Sequence, residues 1–571
     1  MTKPTMTKKA WLREVRFALL KRFIWGREAR RLLNELQDHY EASVSSLKKE
    51  GLEESLVEER ALSSMGNPQQ IAKVAAEELH PILRQAKQAL LVVLALLVPL
   101  ALFSIWLHWS GDRELAQARE ALLAKGEKLN IKELVPPAPP EADNFFADPL
   151  WMEFIYCDRK DSKFIDPKKH QLSQWESAPL SPQEILKLKE FLPSHGDCQR
   201  REAARNLFKS LREQKYPQKQ REEATLLLDL IAPSQLVLNR IAELSKRSGA
   251  SFPLPYELGP LIPLPEVTQH LILTQILSEK AFSELILGKN REAASDVLTL
   301  LRLSTMLRNE ALLISSLVSL SMASLGQEAI NAGLQRHAWT DPELTQMQRL
   351  LEPMDLKAAY LFALRGERLT MILTSTKQVK ELPRGVIFPS WVPGQATYAI
   401  EIILSKNKAL NALLIQRQLD SLASTMGSGW NKASGPSMIQ ELEALTGKNP
   451  FNKLIYALEY MSIPAFSNIT QKCTECQTQI EQCLIACSLE RYLIAHGTYP
   501  ASLDALMPEY LAKLPNSPIT GQAMSYSLQP DGTFLLWTPG WNLKSLGGKT
   551  GEFRGDGDIV WNQPLPKNPK P

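Results

Sequence analysis

The sequence predicts a mainly α-helical protein with a helical head, one transmembrane helix, a multi-helix extracytoplasmic body and a small C-terminal α+β module with an antiparallel hairpin. Three observations support this fold class. No charged residue occurs from Gln88 to Leu107. Apolar residues recur every three or four positions in residues 32–80 and 265–354, which is the helical period. Alternating apolar residues flank Pro530-Asp531-Gly532, a signal for a hairpin.

The length and composition of the chain indicate several folded domains. Its 571 residues exceed one ordinary core, and 44% hydrophobic with 22% charged residues is typical of folded protein. The net charge of +4 gives no global basic surface, so we expect no nucleic-acid partner. The expected divisions are 1–87, a cytoplasmic helical head; 88–109, the transmembrane helix; 110–140, a charged helix and Pro-rich linker; 141–470, the helical body; 471–563, the C-terminal module; and 564–571, a disordered tail.

The uncharged segment predicts a membrane anchor. Residues 89–107 are apolar or small, and about 20 such residues in a helix cross the hydrocarbon layer. Trp106 and Trp109 stand at one end, where aromatic rings suit the lipid headgroups. A buried core helix is the alternative interpretation. A signal peptide is disfavoured because the segment begins far from the N-terminus and has no small-residue cleavage site.

The distribution of basic residues predicts the orientation of the anchor. Ten Lys and Arg residues precede Leu32, and this excess in a short N-terminal segment favours a cytoplasmic N-terminus. The expected location is therefore the bacterial inner membrane, single-pass as a signal-anchor, with the lipid bilayer as a partner and the large C-terminal part in the periplasm.

Residues 1–31 allow two interpretations. Trp11, Val15, Leu19 and Phe23 recur at helical spacing among basic residues. Such a helix lies on anionic lipid, or it is simply the first helix of the head with its charges in water.

The rest of the head resembles a known type of domain. The pattern consists of Glu35-Leu36, Gly51 before an acidic helix, Ala61-Leu62, Met65-Gly66-Asn67-Pro68 and Ile71-Ala72. This order is similar to the HAAS or permease-prefix domain that precedes membrane segments in bacterial signalling and permease-like proteins. The resemblance implies three short helices and a protein-interaction role.

The linker and body are predicted from proline content and periodicity. Residues 135–140 read Val-Pro-Pro-Ala-Pro-Pro, a stiff extended spacer. Residues 141–260 are broken by proline and predict short helices and loops. Periodicity is strong from Pro265 to about Met354, where apolar residues from Leu271 to Ile286 form one helical face before a turn at 288–290. Further helices are expected from Ala293 to Leu307, from Glu310 to about Gln335, over 355–381 and over 398–426, with a loop at 385–397. No 34-residue repeat recurs, so we predict packed helical hairpins rather than a repeat array.

The C-terminal module carries the most specific motifs. Tyr499-Pro500 follows a helix, a hairpin turns at Pro530-Asp531-Gly532, and the chain continues to Gly555-Asp556-Gly557-Asp558-Ile559-Val560-Trp561. This combination resembles the globular part of the major pseudopilin of type II secretion. The true pseudopilin helix continues directly from its own membrane segment, whereas the predicted anchor here lies far upstream. The whole chain also resembles a group of large planctomycete and verrucomicrobial membrane proteins for which no activity is established.

The pseudopilin resemblance implies a calcium site. The matching positions are Asp556 and Asp558, two carboxylates separated by a glycine, which suit a hard cation that takes six to eight oxygen ligands. The alternative is a solvated turn. No other cofactor is expected.

Four of the six cysteines cluster as Cys473, Cys476, Cys483 and Cys487. This spacing places them on one face of a single helix, which cannot wrap a tetrahedral metal ion, so we interpret them as a core stripe. Cys157 and Cys198 could pair in an oxidising compartment.

No catalytic motif occurs among the phosphate-binding, dinucleotide, zinc-protease and nucleophile-elbow patterns. We therefore expect no catalytic residue. Three functions remain open: a membrane-anchored, non-enzymatic scaffold or interaction protein of the cell envelope with unidentified protein partners, an accessory component of a type II secretion or pilus-like system, and an enzyme with an unrecognised site in the helical body.

Overall fold

The computed structural model describes residues 7–22, 24, 26–79, 81–151, 199–213, 216–375, 378, 397–425, 429–430, 438–447, 449–551 and 557–561. It divides into two compact units, Met1–Trp106 and Leu107–Pro571. Each is described separately below. The predicted disordered tail at 564–571, Cys157 with Cys198, and nearly all of the predicted loop at 385–397 lie outside the described residues.

The first unit contains a small helical domain. Its helices are α1 (Lys8–Leu20), α2 (Gly26–Lys49), α3 (Glu54–Ser64) and α4 (Pro68–Leu79). Gly51 and Gly66 adopt positive φ of 80° and 81° between these helices, a conformation that favours glycine. The pattern of breaks in the sequence therefore corresponds to the helix boundaries.

The apolar face of α1 belongs to the core of this domain. Trp11, Val15, Ala18 and Leu19 are buried with residues of α4, and Trp11 Nε1 donates to the carbonyl of Gly66 at 3.1 Å. Of the two interpretations of residues 1–31, the structure favours the first helix of the head, because Trp11, Val15 and Leu19 are already packed in the core of the domain.

Helix α5 (Pro81–Ala124) includes the predicted anchor and has Pro99 in its interior. Two helices of the described chain are long and apolar enough to cross a membrane, Leu90–Ala124 and Leu313–Leu334. The most apolar part of the first is only 6% buried, whereas that of the second is 61% buried. The second helix is therefore explained by its place in the core of the body. The apolar surface of the first helix stays exposed.

The second unit consists mainly of helices that match the predicted periodicity. After the C-terminal part of α5, the described helices are α6 (Ile131–Leu134), α7 (Gln199–Glu213), α8 (Pro217–Ile231), α9 (Gln235–Leu244), α10 (Pro265–Leu287), α11 (Asn290–Ser304), α12 (Leu313–Leu334), α13 (Asp341–Leu351), α14 (Leu356–Leu373), α15 (Thr397–Ser424), α16 (Met438–Thr446), α17 (Pro450–Ile455) and α18 (Ala457–His496). Two large apolar clusters form its core: one centred on α7–α12, and one that joins α10–α16 to α18.

The charged end of α5 packs against α15. Leu115 and Leu122 are buried with Ile372, Ala409 and Ala412. The linker that follows also contacts the body, since a Cβ on Gly249 would lie 2.8 Å from Cγ of Pro139. The Pro-rich segment therefore lies on the surface of the body.

Helix α18 connects the expected body with the expected C-terminal module. It runs without interruption across the expected boundary at 470/471. Its residues Gln477 and Ser488 bond to Leu356 and Gln348 of the body, at 2.8 and 2.7 Å. The two parts therefore share one core.

The module ends in a three-stranded antiparallel sheet with the order β1 (Ser525–Leu528), β2 (Phe534–Pro539) and β3 (Asp558–Trp561). Leu528 pairs with Phe534 across the turn, which confirms the predicted hairpin. The third strand places Ile559 opposite Thr538, and Gln482 of α18 donates to the carbonyl of Ile559 at 2.9 Å, which holds the sheet on the helix.

Candidate functional site: a cationic and apolar crevice

The candidate site lies where α11 ends and α14 begins. Helix α11 ends at Ser304, and the N–H of Thr305 returns to the carbonyls of Arg302 and Leu303. Helix α14 is capped by Asp355, whose side chain accepts from the N–H of Ala358 at 2.8 Å. The two helix ends leave space between them that no side chain of the described chain fills.

One cavity of about 330 Å³ opens here. Its apolar wall consists of Pro136, Met354, Leu356, Ala358, Ala359 and Phe362. Its polar wall consists of Ser304, Thr305, Arg308, Asn309, Ser319 and Asp355. An apolar side chain with a polar neighbour would match this combination of surfaces.

A second cavity of about 250 Å³ adjoins the first. The two share Thr305, Arg308, Asn309 and Pro353, so together they form one crevice. The second part is also lined by the loop 245–250, which follows α9. The volume and the mixed walls are those of a site for a short segment rather than for a single small ion.

The second cavity is strongly cationic. It is lined by Lys246, Arg247, Arg302 and Arg308. Lys246 pairs with Glu243 at 2.7 Å, and Arg247 donates to the carbonyl of Asn144 at 2.7 Å. Within the part of the chain that the structure describes, the guanidinium groups of Arg302 and Arg308 have neither an ion pair nor a hydrogen bond. Burial lowers the pKa of Arg302, so the fold holds a half-desolvated positive charge at this wall.

Ser319 is a further polar group of the crevice that has no hydrogen-bond partner among the described residues. Its side chain is only 3% exposed, and among the described residues its hydroxyl has no hydrogen-bond partner. Buried hydroxyls in native proteins are nearly always paired, so an unpaired hydroxyl in the wall of a cavity indicates a place for a ligand or water oxygen.

The predicted calcium residues are only partly described. Asp556 lies outside the described residues. Asp558 is buried, and its Oδ2 accepts from the N–H groups of Leu546 and Gly548 at 3.0 and 2.7 Å and from Ser545 Oγ at 3.1 Å. One carboxylate oxygen of Asp558 thus closes the loop at 545–548, and Oδ1 has no partner among the described residues. The calcium site stays a prediction, and it would have to use Oδ1.

Several buried ionisable groups lie away from the crevice. Burial raises the pKa of Glu310 to about 8, against a smaller lowering effect of its hydrogen bond from Ser315. Burial lowers the pKa of His270 to about 4, and the ring of His270 stacks on Trp151 with centroids 4.8 Å apart. Neither Glu310 nor His270 lines either cavity. Burial favours the uncharged form of both groups, and both belong to the core.

The four clustered cysteines are free thiols, and each is buried. Cys473 Sγ contacts the carbonyl of Leu356 at 3.3 Å, and Cys476 Sγ contacts that of Leu320 at 3.7 Å. Burial raises the pKa of Cys476 to about 11 and that of Cys483 well above its usual value. The interpretation as a core stripe agrees with these contacts.

Sequence reasoning missed the crevice. Its walls come from 136, 245–250, 301–309, 319, 350 and 353–362, and no local motif unites these segments. The one available signal was Arg302, a charge that interrupts the run of apolar residues at the end of α11. Comparisons of this chain with family models, with curated proteins and with solved structures found no significant match.

Proposed function

We propose that this chain is a membrane-anchored, non-enzymatic interaction protein of the cell envelope, and that its crevice binds an acidic, partly apolar segment of a partner protein. The observation that most directly supports this proposal is the crevice, in which an apolar cavity adjoins one lined by four basic side chains. Asp355 is the one carboxylate among the described residues that line it, and it already caps α14.

The anchor part of the proposal is supported by the exposed apolar surface of α5. We infer a single pass because the other sufficiently apolar helix, α12, packs in the core. The excess of basic residues before Leu32 supports a cytoplasmic head and an extracytoplasmic body. Protease accessibility of residues 107–571 in spheroplasts, compared with intact cells, tests the orientation.

The ligand chemistry follows from charge complementarity. A carboxylate beside Arg302 would add to the effect of the Glu243 charge and compensate for the hydration that burial removes from the guanidinium. A guanidinium matches a carboxylate through two parallel hydrogen bonds. An adjacent Leu or Phe side chain would occupy the apolar wall around Phe362. An extended acidic segment with apolar side chains satisfies both requirements.

The test measures peptide binding by the full chain in nanodiscs. The probe is a fluorescent peptide of alternating Glu and Leu residues, and its control replaces every Glu by Lys. We expect fluorescence anisotropy to show binding of the acidic peptide only, weakening as salt is raised. Equal binding of both peptides, or of neither, would contradict the proposal.

An accessory role in type II secretion is the second candidate, and the C-terminal module motivates it. The order of a long helix followed by an antiparallel sheet agrees with the pseudopilin resemblance. However, α18 is packed against α12 and α14, through bonds such as Gln327 Nε2 to the carbonyl of Cys476 at 3.3 Å. Co-purification of the full chain with pseudopilins would favour this candidate over the first.

The enzyme interpretation makes a separate prediction. Asp355 is the acid within reach of the crevice among the described residues, so a hydrolytic or acid–base reaction there would depend on it. Turnover of a substrate that disappears in an Asp355→Asn variant of unchanged stability would support an enzyme.

A further inference from the structure

The short helix α17 presents large apolar side chains to solvent. Leu454 is 68% exposed and Phe451 is 50% exposed. Lys453 lies between them, with its ammonium group 5.5 Å from the centroid of the Tyr460 ring. Two apolar side chains beside a lysine on one short helix are the composition of a membrane-interface contact.

The position of α15 along α5 is fixed by three contacts. Ser405 Oγ donates to Asp112 at 2.5 Å, and Lys406 pairs with Glu114 at 2.6 Å. A Cβ on Gly111 would lie 3.0 Å from the backbone nitrogen of Lys406, so the two helices approach closely at this level. Residues 111–114 of α5 therefore lie beside residues 405–406 of α15.

Helix α17 is bound to α15 at the same height along α5. Asn407, the next residue of α15, donates to the carbonyl of Ile455 at 2.7 Å. The charge of Glu114 also contributes to the raised pKa of Tyr456, after the larger effect of burial. The end of α17 thus lies close to residues 111–114 of α5.

If α5 crosses the bilayer as proposed above, this level lies at the edge of the bilayer. The apolar run ends at Leu107, and with a rise of 1.5 Å per residue Gly111 follows it by about 6 Å along the helix axis. The headgroup region on each side of the hydrocarbon layer is roughly 5–7 Å thick. Trp109, which is 59% exposed, lies between these two residues, as expected of an interfacial ring.

We propose that α17 is a second membrane contact, in which Leu454 and Phe451 enter the boundary between headgroups and acyl chains of the bilayer that α5 crosses. The ligand is the lipid surface, and Lys453 faces the phosphate level. This inference rests on the proposed anchor.

The test uses the full chain with a photoreactive benzoylphenylalanine at one position at a time. The protein is reconstituted in vesicles of phosphatidylethanolamine and phosphatidylglycerol, irradiated, and analysed for lipid adducts by mass spectrometry. Position 454 tests the proposal. Position 96, an apolar residue of α5 that is 69% exposed, tests the anchor. Position 236 on α9 is the matched control, since Leu236 is 51% exposed and lies on a helix whose buried residues belong to the other core.

We expect lipid adducts at positions 96 and 454, at least tenfold above those at position 236. Adducts at 96 alone would overturn the second contact and leave the anchor intact. No adduct at 96 would overturn the anchor and the inference with it. Equal adducts at 454 and 236 would also overturn the inference, because the contact would not be specific to α17. Unchanged thermal unfolding of each labelled variant confirms that the fold is kept.

Discussion

Arg368 donates from Nη2 to Oε2 of Glu127 at 2.7 Å, and this ion pair joins α14 to the segment that follows α5. The side chain of Arg368 is only 1% exposed, and that of Glu127 is 13% exposed. Burial alone would raise the pKa of Glu127, but the hydrogen bond and charge of Arg368, together with Arg365, outweigh it and lower that pKa. This ion pair thereby fixes the end of α5 to the body.

Replacement of Glu127 by Gln should strongly destabilise the second unit. The variant leaves the buried guanidinium of Arg368 without its carboxylate, which costs about 3 kcal/mol in comparable cases. Because the pKa of Glu127 is lowered in the fold, its contribution is complete above pH 4.5 and is lost as the pH falls through the folded value. Urea unfolding at several pH values should show the difference between variant and parent shrinking in acid.

The matched control is Lys125→Ala. Lys125 pairs with Asp420 at 2.5 Å, but the side chains are 51% and 48% exposed. An exposed pair of this kind contributes less than about 1 kcal/mol. Equal losses for the two variants would show that the ion pair of Glu127 has no special role.

Replacement of Glu310 by Gln should stabilise the protein at neutral and basic pH. The carboxyl group is fully buried, and burial raises its pKa from 4.5 to about 8. The native state therefore holds a proton that the unfolded state releases, so stability falls as the pH rises from 4.5 to about 8. The variant lacks this loss, so its gain over the parent should grow by about 1.4 kcal/mol per pH unit through this window.

Thermal unfolding from pH 5 to pH 9 checks the effect of Glu310. The gain should grow through this window and level off above pH 8. Glu328→Gln, which alters a 53% exposed side chain on α12, is the control and should leave the pH profile unchanged. A gain that is independent of pH would contradict the assignment to proton release.

Replacement of Arg302 by Met should weaken peptide binding without weakening the fold. The half-buried guanidinium has no ion pair among the described residues, so its removal relieves a desolvation cost and should leave stability equal or higher by about 1 kcal/mol. Binding of the Glu-Leu peptide should weaken about tenfold, the effect of one charge-assisted contact. Anisotropy titration and thermal unfolding of the same samples measure both effects.

Arg336→Met is the control for Arg302. Burial also lowers the pKa of Arg336, but this side chain lines neither cavity and donates to the carbonyl of Ala332 at 2.7 Å. It should leave peptide binding unchanged. If both variants bind as the parent does, the crevice is not the site.

Replacement of Gly366 by Ala should disrupt the packing of α14 on the segment between α11 and α12. An added Cβ would lie 1.8 Å from the carbonyl oxygen of Ala311, a backbone atom that cannot move aside easily. We expect a loss of about 3 kcal/mol or more. Gly288→Ala, where φ is 77° but nothing lies within 4 Å, should cost only about 1 kcal/mol. Urea midpoints of the two variants give the comparison.

Replacement of Asp558 by Ala should destabilise the C-terminal sheet in the absence of metal. The variant loses three hydrogen bonds to the loop at 545–548, which together contribute about 2 kcal/mol. Thermal unfolding with and without calcium then separates two roles. A calcium-dependent rise in the parent that is absent in Asp558→Ala would establish the predicted cation site. The same unfolding temperature with and without calcium would restrict Asp558 to loop closure.

The sequence predicted those features that depend on local pattern. The apolar run of α5, the helices of 265–354 and the hairpin at Pro530-Asp531-Gly532 follow from periodicity and turn chemistry. The burial of the cysteine row also followed from its spacing alone.

The crevice could not be predicted in this way. Arg302 and Phe362 line the two parts of one crevice only because the fold brings the end of α11 and the start of α14 together, and Ser405 meets Asp112 across 293 positions of sequence. Helix α18 runs across the expected division at 470/471, and its buried residues belong to one core with those of the body.

The four buried cysteines of α18 make the rate of folding important during biogenesis, because folding protects their thiols from oxidation. Thiol oxidation proceeds through the thiolate, and burial raises the pKa of Cys473, Cys476 and Cys483, so the folded protein resists it. A newly exported, still unfolded chain has no such protection. In the extracytoplasmic compartment that we propose for the body, folding and disulfide formation therefore compete, and maturation succeeds only if α18 is enclosed before an oxidant reaches its thiols.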